Sequence, residues 1–223
     1  MPPRGRLRSL QRESGLISTG MRLGWWSFVR CYLSGWHRLS ITGRQNIPAR
    51  PPFLLVANHT SHLDALVLAT PLSWRQRDRI FPIAAGDVFF QTPLVSAFAA
   101  GMLNALPMWR KNCGPHALEQ LRRRLLDEPC AYILFPEGTR SRDGLMSAFK
   151  PGLGMLIAGT NVPVVPCHLD GCFRAWTAEQ RWPRPRPIRL RIGEPLDFGS
   201  VANNKDGWRH VASTAEERVK ALA

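Results

Sequence analysis

The chain has 223 residues, 44% of them hydrophobic, with 30 Lys and Arg set against 16 Asp and Glu for a formal charge of +14. That length gives one domain, or one domain with a terminal appendage, and room for a real core. The charge narrows the partners to polyanions, either nucleic acid or anionic lipid, and five cysteines without paired spacing argue against a disulfide scaffold and for a reducing compartment.

The first fifty residues hold nine arginines and a single acid, Glu13. Residues 1–16 lack apolar periodicity and read as a mobile tail. No apolar core with a small-residue cleavage site follows, so no signal peptide is expected. From about Gly20 to His37, Met21, Trp25, Phe28, Tyr32, Trp36 and Leu39 recur at spacings of three and four. This predicts an amphipathic helix with arginines on its polar side, suited to a bilayer interface. Packing against its own domain is the alternative. The division expected is therefore 1–37, tail and membrane-associating helix, and 38–223, the main domain.

Residues 43–48 read as a turn before the strand Phe53–Ala57. Ser61 is placed to cap a helix that Pro71 ends near Leu72. Arg79 to Ala84 reads as a strand. Val88 to Trp109 is uncharged and long enough to span a bilayer, but Pro93 and Pro107 break a single helix. It is read as a short helix, Thr92 to Leu103, and then a strand. A helix from Pro115 to Leu126, a strand from Tyr132 to Phe135, a helix from Pro151 to Thr160 and strands at 162–169 and 188–192 follow. Pro183, Pro185 and Pro187 stiffen a connecting loop, and a helix from about Lys205 closes the chain. Strands alternating with helices predict an α/β domain with a mixed, largely parallel sheet flanked by helices. No internal repeat or low-complexity segment is present.

Two short blocks carry the chemistry. In Asn58-His59-Thr60-Ser61-His62-Leu63-Asp64 a histidine and a carboxylate stand five residues apart, across the start of a helix. Asp64 can reach back to one ring nitrogen of His59 and leave the other to accept a proton. Phe135-Pro136-Glu137-Gly138-Thr139-Arg140-Ser141 sets Glu, Gly and Arg in a tight loop after an apolar strand. His59, His62 and Asp64 also read as His-x2-His-x-Asp, a pattern for a metal, but His116, His168 and His210 supply no ligand-like pair downstream. The expectation is no metal.

These blocks, together with Leu106-Pro107-Met108-Trp109-Arg110 and Val162-Pro163-Val164-Val165-Pro166 in that order, resemble the glycerolipid acyltransferase family over roughly Leu39 to Leu196. Its best-known members acylate 1-acylglycerol-3-phosphate to phosphatidic acid. The resemblance implies His59 as base and Asp64 as its orienting partner, with no acyl-enzyme. It also implies acceptor binding by Glu137, Gly138, Thr139 and Arg140, and phosphate binding by Arg110 and Lys150. The donor implied is acyl-CoA or acyl carrier protein, with no cofactor. The setting implied is a membrane surface with anionic lipid, at the cytoplasmic face. Asn104 and Trp109 depart from the family pattern where the acceptor lies, which leaves another lysophospholipid or a lyso-aminolipid open as acceptor. The rival from a different class is a basic nucleic-acid-binding protein, although no recognised nucleic-acid motif occurs.

Overall fold

A computed structural model describes residues 16–85, 106–108, 115–177 and 179–223. Its centre is a seven-stranded sheet built from β1 (Ser40–Thr42), β2 (Phe53–Ala57), β3 (Ile80–Ala85), β4 (Leu106–Met108), β5 (Ala131–Leu134), β6 (Val164–Asp170) and β7 (Arg189–Ile192). The spatial order is β1-β7-β6-β2-β5-β3-β4, and every neighbouring pair is parallel except β6 with β7. The mixed, largely parallel sheet expected from the sequence is the one that forms.

β2 is buried along its whole length, as an unbroken Phe-Leu-Leu-Val-Ala run demands of a strand covered on both faces. Its side chains alternate between two apolar layers. Phe53, Leu55 and Ala57 face one layer with Ile133, Val165 and Cys167. Leu54 and Val56 face the other with Tyr132 and Val164. The registers Leu54↔Tyr132 and Leu54↔Val164 hold these alternations in phase across three strands.

The helices cover the two faces. On the first lie α1 (Leu16–Cys31) with its π-helical continuation Tyr32–Trp36, and α2 (Asp64–Ala69). A short α3 (Trp74–Arg77) follows, closed by a capping box between Ser73 and Gln76. On the second face lie α4 (Pro115–Asp127), α5 (Gly152–Ile157) and α7 (Lys205–Lys220), whereas α6 (Cys172–Ala175) returns to the first. Asn204 caps α7 by accepting from the Gly207 amide at 2.9 Å.

The N-terminal helix packs on its own domain and keeps part of its apolar surface outside. Val29 and Leu33 are buried in the first core layer, Trp25, Trp26 and Tyr32 pack against it, and Arg22 pairs with Asp78 at 2.6 Å. Met21, Leu23, Phe28 and Trp36 remain on the outside. Among the described residues no helix is long and apolar enough to cross a membrane.

One expectation shifts, three short elements were not expected, and two expectations fall outside the described residues. Ser61 does not cap α2; it donates its hydroxyl to the Trp176 carbonyl at 2.6 Å, and the Asp64 carboxylate takes the Thr60 and Ser61 amides instead. The edge strand β1 and the short helices α3 and α6 went unpredicted, because three or four residues carry too little periodicity to stand out. The expected mobile tail, residues 1–15 of it, and the Thr92–Leu103 helix lie outside the described residues, although the strand expected after that helix is β4.

Candidate active site

The site forms where β2, β5 and β6 end, since parallel neighbours bring their following loops to one edge of the sheet. β2 delivers Asn58 and His59, and β5 delivers Phe135, Pro136 and Glu137. Asn58 ties the first of these loops to β6 with both ends of its amide: Nδ2 donates to the Leu169 carbonyl at 3.0 Å and Oδ1 accepts the Leu169 amide at 2.8 Å.

His59 Nδ1 lies 2.8 Å from Asp64 Oδ2. The same oxygen accepts the Thr60 amide at 2.7 Å and the Ser61 amide at 2.8 Å, so one buried carboxylate oxygen shapes the loop and aims the imidazole together. An acceptor at Nδ1 fixes the proton there and leaves the Nε2 lone pair outward. His59 Nε2 has no hydrogen-bond partner among the described residues, and the Phe135 ring stacks on the imidazole at 4.1 Å and 14°. Beneath the pair sits the buried Cys172 thiol. Burial first, and the Asp64 charge second, push that thiol well above its ordinary value, which leaves it protonated and no competing nucleophile.

Glu137, which the resemblance assigns to acceptor binding, lies in the turn after β5. It is 3% exposed, and both of its oxygens are occupied by backbone amides: His59 N at 2.7 Å and Ser147 N at 2.8 Å. Burial raises its carboxyl above the ordinary range, while the Ser147 and His59 hydrogen bonds pull it back. Ser141 adds a second tie between the loops, its amide donating to the His59 carbonyl at 2.8 Å. The two motifs are therefore one hydrogen-bonded unit, with Glu137 as its clamp.

Gly138 turns the loop at φ +74°, and a side chain there would meet Lys150 Nζ at 2.6 Å. The Lys150 head thus lies against the turn, beside exposed Gly138 and Thr139. Arg140 Nη1 lies 2.7 Å from His62 Nδ1 and 2.6 Å from its Nε2, and the His62 ring tilts against Trp176 at 4.9 Å. A guanidinium held against the His62 ring opposes a cation there electrostatically. Among the described residues no three His, Cys, Asp or Glu side chains converge as a metal site would require. Arg110 lies outside the described residues; β4, which it follows, ends on the same sheet edge as the loops above.

The structure thus brings together His59, Asp64, Glu137, Gly138, Thr139, Arg140 and Lys150. Sequence reasoning missed the parts played by Asn58, Phe135 and Ser141. Each abuts a residue it singled out, but their roles depend on partners that only the sheet brings near.

Comparison with known proteins gives a consistent picture. A family model described as Acyltransferase matches residues 38–170. A chloroplastic 1-acyl-sn-glycerol-3-phosphate acyltransferase of Brassica napus is 31% identical over 80% of this chain and 50% of its own length. The alpha form of the same enzyme from Mus musculus is 26% identical over 71% of this chain and 55% of its own. The chain spans about half the length of these curated relatives. Among solved structures, the 1-acyl-sn-glycerophosphate acyltransferase PlsC of Thermotoga maritima superposes with a TM-score of 0.67 at 25% identity, covering 96% of this chain and 86% of that one.

Proposed function

This chain belongs to the acyltransferase family, and we propose that it moves a fatty acyl chain from acyl-CoA or acyl carrier protein to the free hydroxyl of 1-acylglycerol-3-phosphate, giving phosphatidic acid. The observation that carries this reading is the His59–Asp64 pair, 2.8 Å apart and linked through Glu137 to the Pro-Glu-Gly turn. The relatives' names support the choice of acceptor.

The acceptor hydroxyl loses its proton to His59 Nε2 as its oxygen attacks the thioester carbonyl carbon. Asp64 steadies the imidazolium that forms. The tetrahedral intermediate collapses with cleavage of the C–S bond, and the leaving thiolate takes the proton back from His59. A thioester is activated enough for direct attack, so neither a serine nucleophile nor a cofactor is called for. Lys150 and Arg110 are assigned to the acceptor phosphate, as a point charge and a planar fork respectively. Gly138, Thr139 and Arg140 are assigned to the acceptor's approach, and Glu137 acts through the backbone it holds. Residues 1–37 serve as the membrane-associating segment of a peripheral enzyme, and 38–223 as the catalytic unit, at a cytoplasmic membrane face.

A thiol-release assay tests the reading, with purified protein, palmitoyl-CoA and a panel of lyso-acceptors with and without a phosphate monoester. Release that depends on the phosphate-bearing acceptor is expected. Release with none of the panel overturns the function, and equal use of acceptors with other head groups overturns the acceptor.

A further inference from the structure

One basic cluster plays no part in the site: Arg174, Arg181, Arg184, Arg186, Arg189 and Arg191, with Glu179 the single acid in the same stretch. Two of these are occupied locally, Arg189 with Asp170 at 3.4 Å and Arg191 with the Leu222 carbonyl at 3.0 Å. Arg181, Arg184 and Arg186 are exposed and form no ion pair among the described residues. They alternate with Trp182 and three prolines, whose rings fix the backbone and keep the loop extended.

The loop is tied at its middle and just past its C-terminal end. The Arg184 amide donates to the Ala175 carbonyl at 2.8 Å, next to Trp176, whose ring meets His62. At the second tie the Ile188 amide donates to the His37 carbonyl at 3.0 Å, and His37 Nδ1 lies 3.3 Å from the Arg186 carbonyl. His37 in turn meets Tyr32 edge-on at 4.9 Å, and Tyr32 stacks with Phe28 at 6.1 Å. A line of contacts therefore runs from the outer face of α1, where Phe28 is 61% exposed, to the arginine–proline loop. On that loop Trp182 is 72% exposed, with the Arg181 guanidinium 5.9 Å from its ring centre.

We propose that Arg181–Pro187 is a second membrane-contact element, which seats Arg181, Arg184 and Arg186 among anionic lipid headgroups and Trp182 at the interfacial level. This rests on the membrane-associated reading given above. Guanidinium groups beside an exposed indole suit the headgroup zone, where one end of each side chain is wet and the other apolar. A proline-stiffened loop loses little conformational freedom on docking. Through the Arg184–Ala175 and Ser61–Trp176 bonds, the loop would also set the height of the His59 loop above the bilayer.

The experiment is partition of full-length protein onto vesicles of phosphatidylcholine with about one third phosphatidylserine, and of phosphatidylcholine alone, at low salt. Each arginine near an anionic surface is worth roughly five-fold. The variant Arg181→Gln/Arg184→Gln/Arg186→Gln should therefore bind the anionic vesicles on the order of a hundred-fold less, with its melting temperature and its binding to neutral vesicles unchanged. A second variant, Phe28→Ser, separates the readings. If it loses binding while the triple variant partitions like wild type, the loop proposal is overturned and the membrane reading stands. If wild type partitions onto neither vesicle, both fall. If wild type prefers duplex DNA at matched salt and the triple variant loses that preference, the partner is nucleic acid and the proposal is overturned.

Discussion

At the scale of single residues, the proposed mechanism separates the base from the groups that hold it. Among the described residues His59 Nε2 has no hydrogen-bond partner, whereas His62 is held between Arg140 and Trp176. His59→Ala should therefore lower kcat by three orders of magnitude or more, as loss of a triad base does, with His62→Ala keeping most activity. Comparable losses in the two variants, with activity of His62→Ala restored by added zinc, would speak for the metal pattern instead. Glu137→Gln makes a sharper point. An amide offers one acceptor where Glu137 now receives two N–H groups, so either His59 or Ser147 loses its partner. The expected cost is about 1–3 kcal/mol of stability, together with a fall in kcat while acceptor KM stays near wild type. A change confined to acceptor KM would return Glu137 to direct acceptor contact.

At the scale of elements, two glycines inside helices show how packing overrides propensity. A methyl on Gly24 in α1 would have nothing within 4 Å, whereas one on Gly154 in α5 would stand 2.2 Å from the Trp208 Cα and 2.4 Å from its carbonyl oxygen. Gly→Ala in a helix interior gains about 0.5–1 kcal/mol when space is open. Gly24→Ala should raise Tm slightly. Gly154→Ala must push α5 away from α7 and should cost about 2–3 kcal/mol or more despite the same propensity gain. Chemical denaturation of both variants reads the opposite signs directly, and a stabilised Gly154→Ala would mean that the α5–α7 approach is looser than these distances imply.

For the whole molecule, the N-terminal helix, the sheet edge and the arginine–proline loop meet at His37. His37 is fully buried between Tyr32 and the Arg186 carbonyl, and burial lowers its proton affinity; that of His168 is lowered by burial and then by Arg191. Both are held neutral in the folded chain and gain protons readily only on unfolding. Acid therefore favours the unfolded state: stability is full above the ordinary histidine range and falls as pH drops through it toward the lowered folded-state values. Thermal melts from pH 7.5 to 5.5 should show this decline, with a shallower slope in His37→Gln. An unchanged slope would assign the effect to other groups. Removing residues 1–37 takes Val29 and Leu33 out of the core as well as the exposed stripe of Met21, Leu23, Phe28 and Trp36. That truncation should lower Tm markedly, which makes point substitutions on the outer face of α1 the cleaner probe of membrane binding.

The sequence by itself determined the α/β alternation, the strand at 53–57 and the residue types of both motifs, because these follow from local periodicity and from short spacings within one loop. His59 and Asp64 are five residues apart, so their contact was legible before any fold was known. Which groups Glu137 holds was decided only by the tertiary structure. That contact depends on β2 and β5 lying side by side in parallel, which delivers the His59 amide to its carboxylate across 78 residues of chain. The same holds for Asn58, whose amide finds β6 across 111 residues. The placement of the arginine–proline loop against the end of α1 is likewise a product of β1 pairing with β7. Hydrogen bonds between distant loops depend on strand order, and strand order is set by how the two apolar layers pack rather than by any one segment.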